Sequence, residues 1–324
     1  MAALAGREVD RVPVSFWGHD YVREWSAEGL AGVTLERYRQ YDWDFIKVNP
    51  RAGYYAEAWG NRYEPSGDDA HGPVNLDYVL KTPRDPERLK PVDVHEGPFG
   101  EQLAALRLIG EELAGEAPFI QTIFSPLAVM ARLANGDLGF VRRLMREESG
   151  ALHGALGVVT ETLGEYAKAC LEAGADGIFF ATVEWATYDF ATAEQYAEFG
   201  RPYELKVLEM VKEASFNVLH VCRKHNMLES LLDYPVSAFN WATNESENPS
   251  LGEIMAKTDK AVMGGVAVKT MGEGTPDLVA AEAESALAET NSRRFLLTAG
   301  CSISPQTPEA NLRAAAASVR ARKP

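Results

Sequence analysis

Apolar residues gather into eight short runs along the chain, and most stretches between those runs carry apolar positions at helical spacing. The runs fall at 12–16, 44–49, 119–124, 177–182, 217–222, 238–242, 261–266 and 294–299. A short unbroken apolar run is the pattern of a strand covered on both faces, as in a parallel sheet. Within 160–171, Leu163, Tyr166, Ala167, Cys170 and Leu171 share one helical stripe. Gly174, in Ala173-Gly174-Ala175-Asp176, suits the left-handed cap that ends such a helix. Residues 194–214 read as one long helix, and 308–319 as a closing helix with Thr307 at the N-cap and Pro308 in its first turn. Alternating strands and helices imply parallel strands, and eight such units close an α/β barrel of the (β/α)8 TIM type. A doubly wound open sheet is the competing arrangement.

Residues 50–100, after the second run, break the rhythm. Tyr54, Tyr55, Trp59 and Tyr63 crowd together there, followed by Gly, Pro and Asp. An extended segment of this kind is expected to be an active-site cover, an added hairpin or an insertion packed on the barrel wall. No internal repeat or linker marks a second domain, so residues 1–324 are expected to form one. With 46% hydrophobic residues the core needs no disulfide or structural metal. The 47 acidic against 32 basic residues give a net charge of −15, and no Lys/Arg stripe is present. That argues against nucleic acid or an anionic membrane surface as partner. No run approaches the ~18 apolar residues of a membrane span, and the start shows no basic region followed by an apolar one, so a cytoplasmic protein is expected.

Three cysteines occur: Cys170, Cys222 and Cys301. In a reducing compartment they are not expected to form disulfides. Cys170 falls within the apolar helical stripe and reads as core. The other two stand at the ends of predicted strands, where barrels of this type place their chemistry. The fifth run ends Leu219-His220-Val221-Cys222, and residues two apart on a strand point the same way. His220 and Cys222 therefore project together. The eighth run ends Ala299-Gly300-Cys301, which brings a second thiol to the same end of the barrel. His-x-Cys alone is a weak signal; the strand-end position of Cys301 is what strengthens it. One imidazole and two thiolates suit zinc, and three protein ligands leave a position open for substrate. Glu184, after the fourth run, is a candidate fourth ligand, base or supporting carboxylate. Asn240 and Gln121 are candidates for binding substrate or orienting His220. Asn49 and His19, at strand ends, are candidate pocket residues. Lys47, Arg51 and Lys269 also lie near strand ends, without a signal for which face they occupy, while His71, His95, His153 and His225 stand nowhere that favours a role.

Over nearly its whole length the chain resembles the uroporphyrinogen decarboxylase superfamily. The resemblance rests on Asp10-Arg11-Val12-Pro13-Val14, Phe124-Ser125-Pro126-Leu127 and Phe239-Asn240-Trp241. True decarboxylases of that superfamily carry an arginine-rich run after the first strand; this chain has Ser15-Phe16-Trp17-Gly18-His19-Asp20. It also has Gly300-Cys301 where they usually carry Gly-His, and Asn240 where relatives often carry Asp. The branch it resembles instead is the zinc-dependent methylcobamide:coenzyme M methyltransferases, whose His-x-Cys and distant Cys match His220, Cys222 and Cys301. The resemblance implies a zinc-containing methyltransferase that moves a methyl group between a methylated corrinoid (cobalamin) and a zinc-activated thiol or similar small acceptor. No corrinoid-binding motif is present, so the corrinoid is expected free or on a separate protein. The alternatives are a decarboxylase-like enzyme acting on another carboxylated substrate and a non-catalytic corrinoid or metal carrier.

Overall fold

A computed structural model describes residues 1–320. Seven parallel strands form one sheet: β1 (Ile46–Val48), β4 (Phe119–Phe124), β5 (Gly177–Ala181), β6 (Val218–Val221), β7 (Ala238–Trp241), β8 (Ala261–Val266) and β9 (Phe295–Ala299), in that spatial order. These are seven of the eight expected runs. The remaining one, 12–16, closes the barrel without forming a regular strand. On the β9 side Leu297 N donates to Pro13 O at 2.8 Å and Ser15 N to Leu297 O at 3.2 Å; on the β1 side Asp44 N donates to Val14 O at 2.9 Å. Regular pairing fails for two chemical reasons. Pro13 has no N–H to give, and Val14 N donates to the Asp44 carboxylate at 2.9 Å rather than to a backbone carbonyl. The fold is thus an α/β barrel of the TIM kind with one irregular stave.

Helices return the chain between strands. Ala27–Tyr41 starts from the Ser26 N-cap, and Ser149–Glu172 carries Cys170 buried, as the stripe predicted. The long helix expected over 194–214 is two helices, Ala193–Phe199 and Arg201–Glu209, broken at Gly200 with Pro202 opening the second. The closing helix is Glu309–Arg320. The segment after β1 is a wall insertion that includes a hairpin: β2 (Arg62–Glu64) pairs antiparallel with β3 (Val74–Asp77). Tyr54 and Tyr55 are fully buried, and both hydroxyls donate to Thr122 O, at 3.2 and 2.8 Å. Both brace β4.

The strand alternation separates two apolar clusters. Phe45, Ile120, Phe179, Ala181, Val218, Ala238, Ala261, Met263 and Leu296 fill the barrel interior with Trp17. Their sequence neighbours Val48, Ile123, Ile178, Phe180, Leu219, Phe239 and Leu297 pack outward in the larger cluster. Toward the C-terminal ends the inward positions turn polar: Lys47, Thr122, His220, Asn240 and Thr298, all buried. A parallel barrel is closed below by apolar side chains and open above, so this polar layer is where a site can form. No helix among the described residues is long and apolar enough to cross a membrane.

Candidate metal centre

His220 points inward from β6, Cys222 follows one residue after the strand, and Cys301 lies two residues past β9. Their ligand atoms all lie within 4.8 Å of one another. The two Sγ atoms are 3.6 Å apart. Gly300 lets Cys301 come this close: a Cβ there would lie 2.4 Å from Ala242 Cα and 2.7 Å from Trp241 O.

The tautomer of His220 follows from its neighbour. Nδ1 lies 2.7 Å from Asn240 Oδ1. The Asn240 amide cannot be turned over, because its Nδ2 donates to Met263 O at 3.1 Å, Ala299 O at 3.2 Å and Thr298 Oγ1 at 3.2 Å. Oδ1 must therefore accept, Nδ1 must carry the proton, and Nε2 keeps its lone pair. Phe179 stacks on the ring at 5.0 Å and holds its plane. Asn240 is fully buried behind the imidazole. Its place is that of an orienting partner to His220, not of a group touching substrate.

The two thiols are unequal. The Cys222 S–H toward Cys301, helped by His220, holds Cys301 well below the usual thiol range against the opposing effect of burial. Cys222 is pushed up by the same contact and by burial. A sulfur already favouring its thiolate, a second beside it and an imidazole lone pair make a donor set that fits zinc. Burial pushes Cys170 up strongly and leaves it an inert core thiol.

In front of these atoms opens a cavity of about 100 Å³, lined also by Trp17, His19, Asn49, Phe124, Phe179 and Val183. His19 and Asn49 both lie on its wall. His19 Nδ1 is tied to Glu24 Oε2 at 2.8 Å. Glu184 is buried beside the cluster but is not one of its three residues; it pairs with Arg132 at 3.0 Å and Arg223 at 3.6 Å. Its neighbour Val183 and the residue after Cys222, Arg223, both adopt left-handed backbone, with φ of 53° and 69°. For a β-branched valine that conformation is strained, and strain of this kind gathers at functional sites.

Gln121 requires correction. Thr122, not Gln121, lines the cavity; Gln121 faces outward and donates to Tyr166 OH at 2.8 Å. It is one position out of phase with the inward row. Lys47, which carried no directional signal in the sequence, lies on the cavity wall, and burial pulls its ammonium down to about 7 against the opposing charges of Cys301 and Glu24. Arg51 is locked to Glu57 and Glu101. Ser302, Trp17 and Tyr55 line the site without having been signalled by any motif.

Comparison with known proteins bears on the family and the fold. The profile of the family described as Uroporphyrinogen decarboxylase (URO-D) matches residues 1–322. A methylcobamide:CoM methyltransferase, MtbA of Methanosarcina acetivorans, is 29% identical over 253 residues, covering 76% of this chain and 71% of the relative. A uroporphyrinogen decarboxylase of Parasynechococcus marenigrum is 25% identical over 236 residues, covering 69% and 63%. Among solved structures, a methyltransferase from Methanosarcina mazei superposes with a TM-score of 0.81 at 22% identity, covering 99% of this chain and 96% of that one, and so supports the fold. With a family match running from residue 1 to 322, the chain belongs to the uroporphyrinogen decarboxylase family.

Proposed function

We propose that the chain is a methyltransferase that uses zinc, held by His220, Cys222 and Cys301, to move a methyl group between a corrinoid and a small thiol. The observation that carries this reading is the donor set itself: three soft ligand atoms within 4.8 Å at the open end of the barrel, with a cavity before them. The relatives named as methylcobamide:CoM methyltransferases support the reaction class. Zinc bound there supplies one thing: a coordinated thiol loses its proton at neutral pH, whereas a free thiol with pKa about 8.5 is mostly protonated.

The chain's own residues do the rest. Asn240 fixes the proton on Nδ1 of His220, so Nε2 faces the metal side. Phe124, Phe179, Ala181 and Val183 give the cavity an apolar wall that excludes water from the sulfur nucleophile. The acceptor's thiol proton leaves to solvent. A corrinoid would supply the methyl group, keeping on cobalt the electron pair of the carbon–cobalt bond as the acceptor sulfur took the methyl carbon. In this reading residues 1–324 act as one catalytic domain, and the corrinoid arrives free or on a separate protein over the barrel mouth.

Metal analysis of wild type beside Cys301→Ala tests this first. About one zinc per chain is expected in wild type and a large loss in the variant. Zinc-loaded wild type should then demethylate methylcobalamin in the presence of thiols, followed by the corrinoid absorbance, and lose that activity to a chelator. Protein that takes up no zinc when it is supplied, or activity that survives chelation, overturns the reading.

A further inference from the structure

We propose that His19, held by Glu24, is the base that takes the proton from the acceptor's thiol and passes it to solvent. This rests on the methyl-transfer reading of the same cavity. A thiol with pKa about 8.5 enters mostly protonated at neutral pH. The apolar wall that keeps water from the sulfur also keeps water from carrying that proton away. What is needed is a basic group with one side in the cavity and the other in solvent. His19 is such a group: it lines the cavity, and its side chain is 20% exposed. Lys47 is the other basic side chain on the wall outside the three candidate ligands, but its Nζ sits on Asn49 Oδ1, with the rings of Phe179 and Trp17 at 4.9 and 5.5 Å.

The tautomer of His19 follows from its partner. Nδ1 lies 2.8 Å from Glu24 Oε2, and a carboxylate only accepts. Nδ1 therefore carries the proton, and Nε2, which makes no hydrogen bond among the described residues, keeps its lone pair. Glu24 supplies the second observation. It is 1% exposed, its Oε1 has no partner, and no Lys or Arg among the described residues lies within ion-pair distance of it. Burying a carboxylate costs far more than a surface ion pair returns, so this is not rim decoration. A buried carboxylate bonded only to an imidazole stands ready to balance the charge of an imidazolium. The pair is also fixed from behind. Glu24 N donates to Asp20 O at 3.0 Å, in a turn that brings Glu24 back to His19, and Arg51 Nη1 donates to Glu24 O at 3.3 Å. Arg37 donates to Gly18 O at 2.7 Å and to His19 O at 3.2 Å, and Tyr21 stacks on the imidazole at 4.9 Å and 13°. In the step itself the S–H bond breaks with its electron pair left on sulfur, and the proton goes to Nε2. The imidazolium then gives a proton to water at the rim.

The test follows the proton without turnover. Zinc-loaded protein is mixed with saturating coenzyme M in dilute buffer at pH 7, with no corrinoid, and an indicator dye reads the proton released as the thiol binds. His19→Gly should release it about 10- to 30-fold more slowly than wild type. The ceiling arises because about 3% of a thiol with pKa about 8.5 is already thiolate at pH 7 and needs no base. Imidazole should restore the rate of His19→Gly, while pyrazole, similar in shape but hardly basic, should not. Glu24→Gln keeps an acceptor for Nδ1 without the charge and should slow release at unchanged thiol affinity. In metal-free protein at pH 8.5, ¹⁵N spectra should place the His19 proton on Nδ1 in wild type and on both nitrogens in Glu24→Leu. His19→Gln replaces His19→Gly for the rate if the glycine variant does not fold. Equal rates with and without His19, a loss that imidazole leaves unrepaired, equal repair by pyrazole, or a wild-type proton on Nε2 overturns the proposal. The two readings fail separately: proton release that depends on His19, in a protein that demethylates no methylcobalamin, keeps the base and removes the methyltransferase. Methyl transfer with proton release indifferent to His19 does the reverse.

Discussion

Replacing Asn240 by leucine isolates the step from packing to metal binding. Leucine keeps roughly the volume of the amide and admits no water, but removes the acceptor 2.7 Å from His220 Nδ1 and the donor to Met263 O, Thr298 Oγ1 and Ala299 O. The Nδ1–H, enclosed and without another partner, costs about 1–3 kcal/mol. The two N–H groups of the amide, shared among three acceptors, contribute about 1 kcal/mol each, and burial of the leucine side chain returns roughly 2 kcal/mol. A net loss of about 1–3 kcal/mol in folding stability is expected, readable in urea titration of zinc-free protein. The effect on zinc is separate. With Nδ1 no longer bound to fix the tautomer, Nε2 carries the proton part of the time and the ring can turn, so zinc affinity should fall about 10- to 100-fold, or about 1.4–2.7 kcal/mol. Competition against a chromophoric chelator measures this on folded protein. An affinity within about threefold of wild type, in a variant shown to be folded, refutes the argument: His220 would then need no orienting partner, or would not be a ligand.

Gly300→Ala should reach the metal by backbone displacement. The added Cβ would meet Ala242 Cα at 2.4 Å, so the loop holding Cys301 must move, and zinc retention after dialysis against a chelator should drop at least about tenfold. Gly272→Ala, whose nearest contact would be 3.9 Å away, should retain zinc like wild type. Glu204 offers a pH test remote from the site. It is fully buried, bonded by Tyr196 and Tyr234 hydroxyls at 2.6 and 2.7 Å, and burial raises its pKa although those hydroxyls oppose the shift. A raised carboxyl favours folding most below its unfolded pKa of about 4.3 and loses that contribution as pH climbs through the folded value. Glu204→Gln should therefore gain thermal stability relative to wild type on going from pH 5 to pH 8; a difference that stays flat or reverses between those pH values contradicts this.

The strands were legible because each is an apolar run covered on both sides, and that same feature hid which way their side chains point. In a strand with one wet face, alternation reveals the inward residues; in Phe119–Phe124 and Ile46–Val48 both parities are buried. Gln121 and Thr122 therefore read alike, and so did Lys47 beside its apolar neighbours. The barrel register resolves them. Phe124 pairs with Ala181, Ala181 with His220, His220 with Asn240, and Asn240 with Met263, a single inward row across five strands. Once His220 is inward, every member of that row is inward, and Gln121, an odd number of residues from Phe124, must face the helices. Local chemistry that was visible also went unused. Gly200 and Pro202 stop and restart a helix that periodicity alone runs through, and Pro13 withholds the N–H that a regular first strand needs.

The same row explains why the three candidate ligands could be read from spacing while their support could not. His220 and Cys222 are two apart on one strand, so their convergence is a property of β geometry. Cys301 joins them only because β9 closes on the irregular stave at 12–18 and so returns to the mouth of the same barrel. Asn240 and Lys47 act across strands, and no sequence period links them to His220. What links them is a layer. Below it the interior is filled by Phe45, Ile120, Val218, Ala238 and Ala261, and above it the strands end. A polar side chain in that layer is buried yet faces a cavity, so it must be matched either by a neighbour or by what the cavity receives. Asn240 is matched by neighbours on every side and holds the histidine still. Lys47 and the amide nitrogen of Asn49 are matched only in part, so the layer that holds the histidine still also leaves polar hydrogens without a protein partner.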